Sequence, residues 1–174
     1  AQAMVEIGRN SGLHTVAAIT AMEQPLGRAI GNALEMAEAI AILRGEGPED
    51  VSELCYHEAA ELLLMTGKVS SDEAAHILIQ QTIQSGAAVQ KLAEVIAAQG
   101  GDRRQIEDPQ LLPQAPVRMM LLSPSTGYIA SIHAEQIGLA SMSLGAGRFK
   151  KGDPIDHRTG LVLQAKVGTH LNAG

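Results

Sequence analysis

Glycine punctuates the first hundred residues so often that a succession of short helices is the natural fold there. Gly45 and Gly47, Gly67, Ser85-Gly86 and Gly100-Gly101 each follow a run of apolar residues at helical spacing. Glycine just past such a run is the usual helix stop. The first run is Ile30, Ala33, Leu34, Ala37, Ile40 and Ala41. Pro48, with Glu49 and Asp50 beside it, opens a second helix that runs to about Thr66. Ser70 followed by Glu73 reads as a capping box for a third. Val89, Leu92, Ala93 and Ile96 carry a fourth. Upstream, residues 1 to 9 read as the last turns of a helix, and "TVAAIT", Thr15 to Thr20, as a short buried strand. Apolar residues make up 45 % of the chain and aromatic ones only 2 %, so Ala, Leu, Ile, Val and Met must do the packing. That suits helices and helix-on-sheet layers.

The composition changes near Asp108-Pro109, Pro113 and Pro116, a cluster that marks a linker or domain edge. Beyond it, Val117 to Leu122 and Tyr128 to His133 read as strands joined by the turn "SPSTG". Ala134 to Leu144 suits a short helix, "GAGRFKKGD" a loop, and Leu161 to Val167 a further strand. The expected fold is α/β plus α+β: the back part of an α/β domain over 1–114, then a small α+β domain over 115–174, cut short at its end.

Several function classes are disfavoured. A net charge of −6 does not suit a phosphate-binding nucleic-acid surface, and the only basic run is Arg148-Phe149-Lys150-Lys151. The single cysteine, Cys55, cannot form an internal disulfide; it reads as a small core residue in a reducing compartment. No apolar run reaches the roughly 20 residues of a bilayer span. The opening "AQAMVEIG" lacks the pattern of a secretory signal, so a cytoplasmic location is expected.

Short motifs do not assemble a catalytic set. "GRAIGN" is glycine-rich ahead of a helix, as phosphate-cradling turns are, but lacks the Lys-Ser/Thr pair of a nucleotide loop and reads equally as a turn with close packing. His57-Glu58-Ala59-Ala60-Glu61 has the outline of a zinc-protease helix without its second histidine. His14, His76, His133, His157 and His170 show no ligand spacing. Ser123, Ser125 and Thr126 suit a turn better than a nucleophile. Lys166, near a strand end, reads as a surface lysine or, less directly, as the swinging-arm lysine of a carrier domain.

Longer stretches carry more. "MVEIGRNSGLHTVAAITAMEQPLGRAIGNALEMAEAI", "LRGEGPEDVSEL", "SGAAVQKLAEVIAAQGGD", "GYIASI" and "IGLASMSLGAGRFKKGDPIDHRTGLVL" resemble, in order, the pyrimidine-nucleoside phosphorylase family, which includes thymidine phosphorylase. The resemblance implies a pentosyltransferase that converts thymidine or uridine and inorganic phosphate to free base and pentose 1-phosphate. It also implies that this chain is the C-terminal portion only. The family's enzymes are more than twice as long, and their phosphate- and base-binding residues lie upstream of the matching region. On this reading the chain alone is inactive and needs the missing N-terminal portion or a second chain. The intact enzyme is expected to be a homodimer. A non-catalytic binding or assembly module derived from the same family is the alternative. An incomplete sheet would also expose edges and apolar faces, so self-association or a partner is expected.

One site carries over from the resemblance. Bacterial members bind a monovalent cation, taken as potassium. Matching the motif places ligands at the backbone carbonyls of Leu26 and Ala29 and at the Glu38 carboxylate. The Pro-Leu-Gly turn is not yet helix and exposes backbone oxygens, and Glu38 follows Leu34 by one helical turn. Such oxygen sets suit hard cations. The remaining ligands are expected in the upstream half, which makes this a half-site.

Overall fold

The computed structural model describes residues 1–174. Helices dominate, and the strands are few and short, in keeping with the α/β plus α+β expectation. In chain order the elements are α1 (Gln2–Asn10), β1 (Ala29–Ile30), α2 (Asn32–Leu43), α3 (Glu49–Met65), α4 (Asp72–Gln84), α5 (Ala87–Ala98), α6 (Arg104–Glu107), β2 (Gly127–Tyr128), α7 (Ala134–Ser141), β3 (Leu161–Val162) and β4 (His170–Leu171). No helix is long and apolar enough to cross a membrane.

The core forms where two helical stripes meet. Ala33, Met36, Ala37 and Ile40 share one face of α2. Val89, Leu92, Ala93 and Ile96 repeat the same spacing on α5. Ile106 from α6 and Leu112 beyond it close the cluster. The proline-bearing stretch, expected as a linker or domain edge, joins the helical core as far as Leu112. Asp108 caps a short 3₁₀ turn there, its Oδ1 accepting the Gln110 N–H at 3.0 Å. Arg44, just after α2, donates to the carbonyls of Ile106 (3.1 Å) and Glu107 (2.9 Å) and holds α6 in place. Helices α3 and α4 pack against each other, and each buries an alanine almost completely, Ala60 and Ala75.

The helix boundaries follow the glycine pattern, with two local differences. Ser71, not Ser70, caps α4: its Oγ accepts the Ala74 N–H at 3.2 Å. Ile30 belongs to β1, and α2 begins two residues later.

The strands differ more. Residues 15–20 form no strand, and Ile19 is 87 % exposed. A strand is held by its neighbours, and nothing in the described chain pairs with this segment. Residues 117–122 likewise form no strand and pair with no other segment, with Leu121 94 % exposed. The hairpin expected across "SPSTG" is absent. Gly127 pairs instead with Leu171 and Tyr128 with His170, antiparallel, and the Tyr128 and His170 rings meet edge-on at 4.9 Å. Of 161–167, only Leu161–Val162 is strand, antiparallel to β1 with Ala29 opposite Val162 and Ile30 opposite Leu161.

Candidate functional site

The turn from Gln24 to Gly31 is the junction of the molecule. Pro25 fixes one backbone angle, and Gly27 follows with φ +70° in the left-handed region. A Cβ at Gly27 would stand 2.2 Å from Glu38 Oε2, so side-chain bulk is excluded there as well. The turn's amides are taken by carboxylates. Gly27 N–H donates to Asp50 Oδ2 at 3.2 Å, while Arg28 and Ala29 N–H donate to Glu38 Oε1 at 2.9 and 3.0 Å. Glu38 can do this because helical side chains lean toward the N-terminus, which carries its carboxylate back from α2 to the turn. Gly31 N–H donates to Glu35 Oε1 at 2.9 Å.

The end of the chain packs on the same turn. Leu163 N–H donates to Arg28 O at 2.8 Å, beside the β1–β3 pair. Val167 N–H donates to Gln24 Oε1 at 3.0 Å. The buried Ser141 hydroxyl donates to Ile30 O at 3.3 Å, and Ala134 N–H donates to Glu23 O at 3.2 Å. Gly31, with φ +137°, allows close approach here: a Cβ would meet Thr159 O at 2.4 Å. His157 O accepts the Ala33 N–H at 3.2 Å, and the His157 ring pairs with the Asn32 amide at 2.9 Å.

Lys166 turns inward, with its side chain 18 % exposed. Its ammonium donates to Pro25 O, to Gly27 O at 2.6 Å and to Asp50 Oδ2 at 2.8 Å. It is thus neither a free surface lysine nor a presented carrier arm. Burial pushes the Asp50 carboxyl up, but the bonds from Lys166 and from the Val51 and Gly27 amides outweigh it and hold the group below its ordinary value.

Most carbonyls of the turn are therefore engaged. Leu26 O accepts no hydrogen bond. Arg28–Leu163 is a hydrogen-bonded pair, so Ala29–Val162 is a non-hydrogen-bonded one. The Ala29 carbonyl then faces away from β3, on the edge where its own N–H meets Glu38. Glu38 Oε2 also carries no donor. Leu26 and Ala29 thus lie on the turn, and Glu38 reaches back to it from α2; each of the three has an oxygen to which no protein group donates. Such hard oxygens suit a monovalent cation.

The other candidates resolve as structural groups. Ser123 Oγ donates to Ser125 O at 2.7 Å, as in a turn. Cys55 is exposed on α3, not in the core; partial desolvation and the nearby Glu58 push its thiol up. His57, Glu58 and Glu61 line an open hollow of about 260 Å³ against Val16 and Ala18. No three His, Cys, Asp or Glu side chains gather into a metal-holding group. Asp50 and Lys166 are the partners of the turn that sequence reasoning missed. Lys166 lies 139 positions from Gly27, and no local pattern spans such a gap.

Comparison with known proteins matches both ends of the chain. Residues 1–89 match the glycosyl transferase family, a/b domain. Residues 128–174 match the pyrimidine nucleoside phosphorylase C-terminal domain. Proteins named pyrimidine-nucleoside phosphorylase from Staphylococcus aureus strains USA300, NCTC 8325 / PS 47 and COL are each 44 % identical over 174 residues, which is 100 % of this chain and 40 % of the relative. The chain thus spans well under half the length of these curated relatives. The turn from Gln24 to Gly31 lies in the first matched segment, and its partners Ser141, Leu163, Lys166 and Val167 lie in the second.

Proposed function

We propose that this chain, which belongs to the pyrimidine-nucleoside phosphorylase family, supplies the C-terminal portion of an enzyme of that activity. The reaction is cleavage of a pyrimidine nucleoside by inorganic phosphate to free base and pentose 1-phosphate. The observation that carries the reading is the 44 % identity across all 174 residues to relatives bearing that name. The phosphate- and base-binding groups come from an upstream portion. The contribution of this chain is to hold one turn rigid against it.

Glu38 does this by accepting two consecutive amides of the turn, which leaves the carbonyls of Leu26 and Ala29 free of donors. Leu26, Ala29 and Glu38 would hold a potassium ion. When bound, that ion supplies fixed positive charge that offsets the Glu38 carboxylate. Pre-ordered donors and a pre-ordered turn lower the reorganisation needed when phosphate meets the anomeric carbon. Assembly as a cytoplasmic homodimer belongs to the same proposal. The exposed row Val117, Met119, Met120, Leu121 and Leu122 supports a covering partner.

A chimera tests the reading: the matching 40 % of a Staphylococcus aureus relative is exchanged for this chain. The expected result is phosphorolysis of thymidine or uridine by the chimera and none by the chain alone. A folded chimera without phosphorolysis, or enzymatic turnover by the isolated chain, refutes it. Replacing Glu38 by Gln in the chimera is expected to weaken activation by potassium relative to sodium.

A further inference from the structure

We propose that Pro25 O, Gly27 O and the Asp50 carboxylate form a second monovalent-cation nest, which the chain fills with its own Lys166 ammonium. The ammonium group has three N–H donors and no acceptor. Three oxygens receive them, two backbone carbonyls and one carboxylate, from residues between 116 and 141 positions away. The donors are fully used, and the single positive charge meets a single negative one.

The cradle is held independently of the lysine. Asp50 Oδ1 accepts the Val51 N–H at 2.9 Å, and Oδ2 accepts the Gly27 N–H at 3.2 Å. Pro25 and the left-handed Gly27 fix the two carbonyls. A lysine ordinarily extends its charge into water; Lys166 instead gives up that freedom to reach under the turn. Without the ammonium, the cradle would keep two carbonyl dipoles and a carboxylate. That set suits an ion of ammonium-like size and charge, such as potassium or ammonium itself, since carbonyl oxygens can replace its hydration shell. It is poor for calcium, which takes 6–8 oxygens, or magnesium, which needs near-octahedral geometry. Lys166 is accordingly a positioning residue. It ties the segment after β3 to the turn that bears Leu26 and Ala29, and this inference stands whether or not the chain serves a phosphorylase.

Thermal unfolding of Lys166→Met, which keeps an apolar stem and removes the charge, tests it. Choline, potassium, ammonium and lithium chlorides are compared at equal ionic strength, so that general screening cancels. In choline the variant is expected to melt at least about 3 °C below the parent. Potassium or ammonium is expected to return half or more of that loss, and lithium clearly less. Adding Asp50→Asn should abolish the return. Any potassium response of the parent reports on the Leu26, Ala29 and Glu38 set, and only the excess response of Lys166→Met reports on the nest, so the two readings fail separately. An unchanged melting temperature in choline, no cation-selective return, or a return that survives Asp50→Asn overturns the nest. If the variant does not fold, nitrogen-detected magnetic resonance of the parent decides. A slowly exchanging Lys166 ammonium signal is expected, and its loss to rapid exchange with water overturns the proposal.

Discussion

Replacing Gly27 by Ala should disturb the turn in two separable ways, and their coupling can be worked out in advance. Gly27 has φ +70°. An alanine in that region costs about 1–2 kcal/mol in backbone strain. Its Cβ would also stand 2.2 Å from Glu38 Oε2, so the carboxylate must retreat. Retreat forfeits the bonds from Arg28 and Ala29 N–H, worth about 1 kcal/mol each after allowance for partial exposure. Gly27→Ala should therefore cost about 3–4 kcal/mol, and Glu38→Ala, which loses the same bonds, about 2 kcal/mol. In the double variant the clash is gone and the bonds are lost only once. Its cost should be about 3–4 kcal/mol, against a sum of single effects near 5–6 kcal/mol. Denaturant unfolding of the four proteins, followed by circular dichroism, measures this. Effects that add to within about 0.5 kcal/mol would show that Glu38 does not lean on the turn, and the account of the site would fall with it.

Other outcomes follow from the core, the caps and the charges. Ile40 is fully buried between α2 and α5, so Ile40→Ala should cost about 2–5 kcal/mol in the same unfolding assay. Ser71→Ala should cost about 1 kcal/mol through loss of the α4 cap, with Ser70→Ala near neutral; the reverse order would restore the capping box expected from Ser70 and Glu73. Asp50 is held below its ordinary carboxyl value in the folded chain. Its contribution to stability is therefore present above the unfolded value near 4 and is lost as pH falls through the depressed folded value. A carbon-detected titration should find the Asp50 midpoint below that of an unfolded Asp, and Lys166→Met should move it upward.

Helices were legible in this chain because their signal is local. The stripe Ala33, Ala37, Ile40 and its counterpart Val89, Leu92, Ala93, Ile96 can be read from spacing alone, and the glycines mark their ends. Strands were not, because a strand exists only beside a partner. "TVAAIT" has the right composition and no paired neighbour, whereas Ile30, read as the first residue of a helical run, pairs with Leu161 far along the chain. The same division holds at the site. Pro25 and Gly27 mark a turn within a short window, and it was the resemblance to the phosphorylase family that pointed to Glu38 on the helix after it. Asp50 resembled only an acidic first-turn residue, and that is also its place on α3. Its bond to Gly27 and its ion pair with Lys166 depend on how α3 and the chain end fold back, which periodicity does not encode.

The reach of Lys166 also sets an order of events during synthesis. The carbonyl of Gly27 leaves the ribosome 139 residues before the ammonium that will hold it, and domains assemble from the N-terminal side as they emerge. Helices α2 to α5 can therefore settle first, while the proline corner stays open to solvent and to proteases. Nascent chains halted before residue 166 should be nicked between residues 24 and 28 faster than chains long enough to expose that lysine.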